Sequence, residues 1–430
     1  MAQSMVAQVF ADEWPKLVAI LTRELGDLDL AEDASQDAFA EAARCWGPTS
    51  TPNRPGAWLL TTARRKAIDQ IRRRQRHDQR LAELDHALRH PDQPRVNYLA
   101  DERLSLIFGC CHRSLSSEAQ VALTLRIVGG LSTSQIAKAF FVPEATMSKR
   151  IVRAKKKIRT ANIPFDIPAP DQLVDRVESV LSVIYVIFTA GHTSSEQGVA
   201  VRGDLCDEAR WLASLVDSLL TAHAQQHTPA GQQWPGWYGD EQIAIHAEVK
   251  GLLALILLTD ARRNARVDAC GHLVLLQDQD RTKWDPQLLA EGLTHLAEAL
   301  SLGRVGAYQI QAAIASLHSN APSWDETQWP TIVSLYDQLA MLDPSPVIQL
   351  SRAIAISMMD GPSAGLVAIN ELASRHELDS YRYFHAAKAD MLRRLGRSSE
   401  ARDAYKQALA LEGNDSETEF LRSRLNTISS

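Results

Sequence analysis

Apolar residues recur at spacings of three and four along almost the whole 430-residue chain, and this periodicity restricts the fold more than any other feature. No stretch alternates apolar and polar residues as a half-buried strand does. Gly and Pro cluster between the periodic segments, where helices end. The pattern predicts an all-α fold, and the length is enough for about two to four domains.

The charge is divided unevenly along the chain. Residues 1–160 contain 25 Lys and Arg against 18 Asp and Glu, a net charge of +7. Residues 161–430 contain 21 against 34, a net charge of −13. This asymmetry predicts an N-terminal part that faces nucleic acid and a C-terminal part with another role.

The five cysteines lack the paired spacing of a disulfide framework or a CxxC zinc site, which fits a reducing cytoplasm. The longest apolar runs begin at Val180 and Leu252, and both are shorter than the roughly 20 residues that span a bilayer. The N-terminus lacks the basic start and apolar core of a signal peptide. We therefore expect a cytoplasmic protein without a membrane partner.

Composition divides the chain into four helical blocks joined by polar or proline-rich connectors. The expected domains cover residues 5–77, 101–160, 172–280 and 284–430. The mixed charge of residues 78–100 favours a flexible connector between the first two domains. Three prolines favour an extended linker over residues 161–171.

The last block contains a repeat signature. The segment LGRSSEARDAYKQALALEG, which starts at Leu395, matches the second half of a tetratricopeptide unit with Gly396 at its turn. The residues expected to face the partner helix are Ala401, Tyr405 and Ala408. Tyr336, in a weaker copy, lies 69 residues before Tyr405, close to twice the ~34-residue period. Tetratricopeptide-like hairpins are expected here, with unrelated helices as the alternative.

A basic segment, LSTSQIAKAFFVPEATMSKRIVRAKKKIR, has the order of a helix-turn-helix. Ser132 or Ser134 can cap a first helix, and Pro143 presets φ for a second one whose apolar face holds Ile151, Val152 and Ile158. In such a motif the N-terminal residues of the second helix enter the major groove. Those residues are Glu144, Ala145, Thr146, Ser148, Lys149 and Arg150.

Further along the same helix lie cations that suit phosphates rather than bases, because clustered charge adds affinity without reading sequence. They are Arg153, Lys155, Lys156, Lys157 and Arg159. Phe141 occupies the turn position that Gly often holds in this motif. A solvated basic helix on the surface of a bundle is the alternative.

A second basic helix, AWLLTTARRKAIDQIRRRQR, starts at Ala57, and residues 61–80 contain eight Arg or Lys and two Asp. A helix-turn-helix protein does not need this second cationic helix. The loop GPTSTPNRPG precedes it, next to Trp58, in a setting where extruded single-stranded bases could be held or stacked. A core position for Trp58 is the alternative.

An acidic helical face precedes that loop, in the segment DLAEDASQDAFAEAARCW. Its members are Asp29, Glu32, Asp33, Gln36 and Asp37, and Phe39 lies on the opposite, apolar side. An acidic face repels DNA but could bind a basic protein partner. A solvated face is the alternative.

The order of these segments resembles the bacterial extracytoplasmic-function (ECF) sigma factors, the smallest sigma-70-type initiation subunits. The resemblance covers residues 5–160 and rests on DLAEDASQDAFAEA, AWLLTTARRKAIDQIRRR, a variable connector and a helix-turn-helix that ends in VRAKKKIR. It implies a region-2 domain over residues 5–77 and a region-4 domain over residues 101–160. Core RNA polymerase and promoter DNA would be the partners, with no cofactor and no enzymatic activity.

The resemblance also implies roles for individual residues. The residues on or beside the helix that docks on the clamp coiled coil of RNA polymerase would be Asp33, Gln36, Asp37 and Phe39. The −10 element would be melted and read by Asn53, Trp58, Arg64, Arg65, Asp69 and Arg72. The −35 duplex would be bound by the six residues from Glu144 named above, with Arg153 and Lys156.

The C-terminal part resembles the extension of a sigma-factor group with a tetratricopeptide-like C-terminus. The similar stretches are YVIFTAGHTSSEQG, DLCDEARWL, DARRNARVD, LLQDQDRTKWD and DPSPVIQLSRAIA. The resemblance implies regulation through the extension, by contact with the N-terminal part, with polymerase or with a third protein. Residues 172–280 depart from ordinary tetratricopeptide patterns, so their role is open.

Catalytic motifs are not indicated. His192 lies near serines without a nucleophile elbow, and His86 and His90 have no further metal ligands beside them. A hydrolytic carboxylate set is disfavoured, because turns and helix caps explain Asp278, Asp280 and Asp285. The alternative function is a free-standing helix-turn-helix regulator with a tetratricopeptide-like sensor. Such a regulator has no need of the helices in residues 5–77.

Overall fold

The computed structural model describes residues 2–46, 52–74, 98–140, 142–165, 168, 170–192, 202–226, 239–268, 272–411 and 415–429. Within these ranges the regular elements are helices, and the β-structure is one isolated bridge between Val267 and Leu273. The all-α prediction is confirmed. Residues 78–97 of the predicted connector, which include His86 and His90, lie outside the described residues. Phe141 and Ser194 lie outside them as well.

Of the helices in the described residues, nine lie wholly or partly in the N-terminal half. They are α1 (Ala2–Leu25), α2 (Leu28–Cys45), α3 (Pro55–Arg74), α4 (Tyr98–Cys110), α5 (Ser117–Leu123), α6 (Thr133–Ala139), α7 (Glu144–Thr160), α8 (Pro170–His192) and α9 (Gly203–Gln226). A π-helical turn, Thr124–Val128, continues α5.

Nine more helices follow. They are α10 (Asp240–Asp260), α11 (Pro286–Ser301), α12 (Ala307–Asn320), α13 (Trp329–Leu342), α14 (Pro346–Met359), α15 (Pro362–Ala373), α16 (Arg382–Arg394), α17 (Ser398–Ala410) and α18 (Asp415–Ser429). Between α10 and α11 the chain makes three 3₁₀ turns, Arg263–Ala265, Leu276–Asp278 and Arg281–Lys283.

Side-chain caps fix where several helices begin. Ser132 Oγ accepts from Gln135 N, and Gln135 Oε1 accepts from Ser132 N, so this capping box starts α6. Asp280 caps the third 3₁₀ turn and Asp285 caps α11, as expected for these aspartates. Pro143 precedes α7 and sets its first turn.

The chain forms two compact units whose limits differ from the predicted domain boundaries. Unit 1 comprises residues 1–186 and 221–237, and unit 2 comprises residues 187–220 and 238–430. The predicted boundary near residue 172 falls inside α8, which contributes to both units. The predicted boundary between residues 280 and 284 lies inside unit 2, because α10 packs against both α11 and α12.

The start of the predicted extended linker packs on unit 1. Ile163 is buried, and the ring of Phe165 lies against Gly109 of α4. Arg176 of α8 donates to the carbonyl oxygen of Phe108 and covers the Phe108 ring. The three prolines of this segment restrict its backbone conformation. They do not indicate which of its apolar side chains pack on the helices of unit 1.

The core of unit 1 joins α1 and α2 to the turn after α5. Trp14 Nε1 donates to the carbonyl oxygen of Ile127 at 3.0 Å, and the Trp14 ring packs on Phe10 and Phe39. Gly130, with φ of +68°, lies against Phe10 and Trp14, where a side chain would collide. The two blocks that the sequence separates by a connector are therefore parts of one unit.

Unit 2 is built from consecutive helices that pack on their chain neighbours. By length and composition alone, the segment 240–265 is long and apolar enough to cross a membrane. The shorter apolar run from Leu252 does not by itself indicate this. In the structure, 67% of the most apolar 18-residue stretch of this segment is buried inside the protein. From α13 to α18 each helix packs on the next. Ala401, Tyr405 and Ala408 of α17 are buried, as the repeat pattern predicts for these three positions.

Candidate nucleic-acid interface

The second helix of the predicted helix-turn-helix, α7, presents its N-terminal turns to solvent. The exposed residues there are Glu144, Ala145, Thr146, Ser148 and Lys149, and Arg150 is half-buried. The opposite side is anchored by buried Met147, Ile151, Ala154 and Ile158. Buried residues at spacings of three and four hold the helix on α5 and α6, so its polar side is available to a ligand.

Val152 does not belong to the apolar face, which corrects the prediction. Its side chain is 61% exposed. The anchor runs through Met147, Ile151 and Ala154, and position 152 lies about 100° around the helix from position 151. An exposed valine beside Lys149 and Lys156 on the polar side can make an apolar contact with a ligand.

The basic end of α7 is only partly available to phosphates. Arg153 and Lys156 are exposed. Lys155 instead pairs with Glu32 and Asp29 of α2, and Arg159 with Asp29, while Lys157 donates to the carbonyl oxygen of Ser114. Three of the predicted phosphate ligands, Lys155, Lys157 and Arg159, thus have partners within the protein.

The second basic helix, α3, shows a similar division. Arg65, Asp69, Arg72 and the preceding Asn53 are exposed. Arg64 forms a two-pronged ion pair with Glu24 of α1, in which Nε and Oε2 are 3.0 Å apart, so its guanidinium is held against α1. Because of this ion pair, the Arg64 guanidinium is not directed to DNA as the sequence predicts.

Trp58 was predicted either to stack on an extruded base or to lie in the core, and the structure places it between these two environments. Its ring is half-buried and meets the ring of buried Trp46 edge-on, with the ring centroids 5.3 Å apart. The ring therefore packs on Trp46, which directly follows α2, and part of it stays accessible to solvent. An aromatic ring in this position can stack on a base without losing its support.

The acidic face of α2 is exposed at Asp33, Gln36 and Asp37. Asp37 Oδ2 accepts from Gln70 Nε2 of α3 at 3.1 Å. Phe39 is 6% exposed and packs on Phe10, so it is a core residue and does not form part of the predicted docking surface. A helix places every third or fourth residue inward, and the aromatic residues of α1 make this position interior.

Glu32, expected on the same acidic face, is the most deeply buried acid of α2, at 3% exposure. Its Oε1 accepts from Arg126 Nε at 2.6 Å and from Gln36 Nε2 at 2.9 Å, and its Oε2 lies 2.5 Å from Lys155 Nζ. Burial of the Lys155 ammonium lowers its pKa, but the charges and hydrogen bonds of Glu32 and Asp29 outweigh this, so the pKa is raised.

This ion-pair group joins the acidic helix α2 to the basic helix α7. We call Asp29, Glu32, Arg126, Lys155 and Arg159 the α2–α7 cluster. The sequence does not indicate the partners of Glu32, because Arg126 and Lys155 lie 94 and 123 residues away from it. Its one signal is that Glu32 stands among small and apolar residues on the buried side of α2.

The structure has a helix-turn-helix whose second helix exposes its first turn and, further along, the cations Arg153 and Lys156. These features are those of a DNA-binding protein. Helices α2 and α3 add an acidic face and a basic face. Comparison with known families agrees. Sigma-70 region 2 matches residues 10–77, and Sigma-70, region 4 matches residues 105–158.

The chain belongs to the sigma-70-type RNA polymerase sigma factors and is ECF-like. It is 30% identical over 158 residues to the RNA polymerase sigma-H factor of Pseudomonas aeruginosa, covering 35% of this chain and 81% of that protein. It is 29% identical over 140 residues to the ECF RNA polymerase sigma factor SigK of a Mycobacterium species, covering 32% of this chain and 72% of that protein. A sigma factor acts in transcription initiation with core RNA polymerase and promoter DNA.

A relative of full length also exists. An uncharacterised protein of Rhizobium meliloti is 38% identical over 418 residues, which cover 96% of this chain and 93% of that protein. Residues 176–228 and 239–300 match a family of unknown function, DUF6596. No solved structure matches the chain.

Proposed function

We propose that the protein directs RNA polymerase to promoters by reading the −35 element with α7 and the −10 element with α3 and the loop before it. The observation that carries this proposal is the exposed N-terminal side of α7, anchored from behind by Met147, Ile151, Ala154 and Ile158. Asn53, Arg65, Asp69, Arg72 and the free edge of Trp58 form the second exposed set, on α3 and the loop. Asp33, Gln36 and Asp37 dock on polymerase.

Run-off transcription with purified core polymerase tests this function. We expect specific transcripts only when both the protein and core polymerase are present. Replacing Asp33 and Asp37 by Lys should weaken polymerase binding and leave the helical circular dichroism signal unchanged, because both side chains are exposed. Unchanged polymerase affinity in this folded double variant would exclude the docking assignment.

Footprinting separates a sigma factor from the alternative, a free-standing regulator. A sigma factor should protect promoter DNA at low concentration only together with core polymerase. A regulator should protect duplex DNA alone. The match of residues 10–77 to region 2 supports the sigma factor, since a regulator has no use for a polymerase-docking domain.

We further propose that the extension is tetratricopeptide-like and regulates the sigma domains in the cytoplasm. Ala401, Tyr405 and Ala408 pack into one cluster with Ala389 and Leu392 of α16, and Gly396, with φ of +72°, makes the turn between these helices. Stacked hairpins of this kind form surfaces suited to a peptide or helix. The opposite net charges of the N-terminal and C-terminal parts favour contact between them.

A further inference from the structure

Unit 2 contains a group of cations in the turns that follow α10, in the segment DARRNARVD. Its arginines differ in their pairing. Arg263 donates to Asp260 at 2.7 Å and to Asp207 at 2.8 Å. Arg266 contacts the imidazole ring of His192. Arg262 has neither kind of partner among the residues that the structure describes.

The Arg262 side chain is a half-buried cation that has no acid as a partner among the described residues. Its Nε is shielded from solvent and makes no hydrogen bond, and no described residue forms an ion pair with its guanidinium. Burial lowers its pKa to about 10, and the charges of Arg266 and Arg281 act in the same direction. Burying a charge without a counter-charge opposes folding, so such groups are rare unless a ligand uses them.

The turn that follows Arg262, Arg263–Ala265, packs on the turn Arg281–Lys283, which brings further donors to this part of unit 2. Arg281 Nη1 donates to the carbonyl oxygen of His318 at 2.9 Å, and its guanidinium lies 4.4 Å from the ring centroid of Trp284. Trp284 Nε1 and His318 Nδ1 are both buried without a hydrogen-bond partner. Burial lowers the pKa of His318 to about 4, and the positive charges of Arg262 and Arg281 act in the same direction.

The acids in this segment are already committed. Asp260 and Asp207 accept from Arg263, and Asp268 accepts from the backbone and ring of His272. Within the described ranges, Arg262 and Arg281 therefore face unpaired donors and no carboxylate. A negative group bound at this place would offset the two positive charges.

We propose that Arg262, Arg281, Trp284 and His318 form a binding site for a small oxyanion, a carboxylate or a phosphate group. A guanidinium fork matches both groups through two parallel hydrogen bonds, and an indole N–H adds a third donor. Arg262 is partly exposed as a whole residue, which gives a ligand access while its Nε stays dry. The inference goes beyond promoter recognition and does not depend on it.

Thermal unfolding of the full chain tests the site. The probes are inorganic phosphate and acetate, titrated at constant ionic strength against potassium chloride. We expect at least one oxyanion to raise the Tm by about 2–5 °C and to reach saturation, because a ligand that binds only the folded state stabilises it. Arg262→Gln should abolish this rise, and without oxyanion its Tm should equal or exceed that of the wild type.

Two variants make the result specific. Arg304→Gln removes the same charge from an exposed pair with Asp240, and it should keep the full response. Arg262→Lys keeps the charge but loses the fork, so calorimetric titration should give a Kd weaker by about tenfold. No saturating response to either probe in the wild type would overturn the proposal. So would an unchanged response in Arg262→Gln, or, if that variant does not fold, an unchanged Kd in Arg262→Lys.

Discussion

At the scale of single residues, we propose that α7 separates base reading from phosphate binding. Lys149 lies in the first turns of the helix, where a side chain of a docked helix-turn-helix can reach a base edge, and Lys156 lies two turns later, where we expect it to contact phosphate. A base contact is worth about 1–3 kcal/mol of discrimination, whereas a phosphate contact weakens all sequences alike. Lys149→Ala should therefore change the ranking of −35 variants in run-off transcription.

Lys156→Ala is the matched control, since it removes the same charge from an exposed position of the same helix. It should lower transcription from every promoter variant by a similar factor and flatten the salt dependence of DNA binding. Equal losses on all variants from both substitutions would contradict the division of roles.

Glu208 of α9 gives a prediction of pH dependence in unit 2. Burial raises its pKa to about 7, and its Oε1 is a buried acceptor without a partner. Its pKa in the unfolded chain is lower, about 4.3. The folded protein therefore holds the proton more tightly, and the stability this provides below pH 4 is lost as the pH rises through about 7. The loss is about 4 kcal/mol at most, at about 1.36 kcal/mol for each unit by which the folded and unfolded pKa values differ.

Chemical denaturation at pH 5 and pH 8 measures this effect. Glu208→Gln should raise the unfolding free energy relative to wild type at pH 8, with a much smaller gain at pH 5. Glu371→Gln removes a charge from an exposed glutamate and should show no such difference between the two pH values. An equal effect of Glu208→Gln at both pH values would show that its carboxylate is not desolvated.

At the scale of helices, the α2–α7 cluster determines how the acidic and basic faces meet. Glu32→Gln leaves Arg126 and Lys155 in a largely enclosed site without their buried acid, and breaking such a pair costs about 3 kcal/mol. Asp29→Asn acts at a site whose acid is 38% exposed, so it should cost less than about 1 kcal/mol. Urea unfolding of the two variants should show this order.

The same contact should compete with function. Asp29 and Glu32 hold Lys155 and Arg159 of α7 against the helix that we propose docks on polymerase. Asp29→Asn frees Arg159 at little cost in stability, so we expect it to raise the affinity of the isolated protein for a −35 duplex at low salt, by a factor that shrinks as salt rises. Fluorescence anisotropy with a labelled duplex measures this affinity. A decrease in affinity would show that the contact supports the DNA-binding form instead.

At the scale of the whole molecule, the C-terminal part is larger than the sigma domains. We expect truncation after Thr160 to lower transcription, because it removes the extension together with Phe165 and Arg176, which cover Gly109 and Phe108 of α4. Full-length and truncated proteins should be compared over a salt series, since contact between parts of opposite charge weakens with screening.

Arg176→Ala in the full chain separates stability from regulation. It removes the contact with Phe108 and keeps the rest of the extension. If it lowers transcription as much as the truncation does, the extension acts by supporting α4 alone. Identical activity of full-length and truncated proteins at every salt concentration, with no cross-links between the two parts, would exclude direct control.

The sequence alone determined the helical class, a serine cap before α6 at Ser132 or Ser134, the start of α7 after Pro143 and the inward positions of Ala401, Tyr405 and Ala408. Each of these depends on residues within one or two helical turns, so local spacing and capping chemistry are sufficient to predict it. The exposure of the first turn of α7 was predictable for the same reason, because the spacing of apolar residues within the helix shows which side is polar. The sigma-factor family was likewise readable from the order of local motifs.

Only the tertiary structure decided which of the predicted site residues face solvent. Glu32 and Phe39 are buried, Arg64 is paired with Glu24, and Lys155 is paired with Glu32, whereas Val152 is exposed. The physical reason is distance along the chain. A helix fixes the direction of a side chain, but the surface that covers it comes from residues such as Arg126, 94 positions away from Glu32.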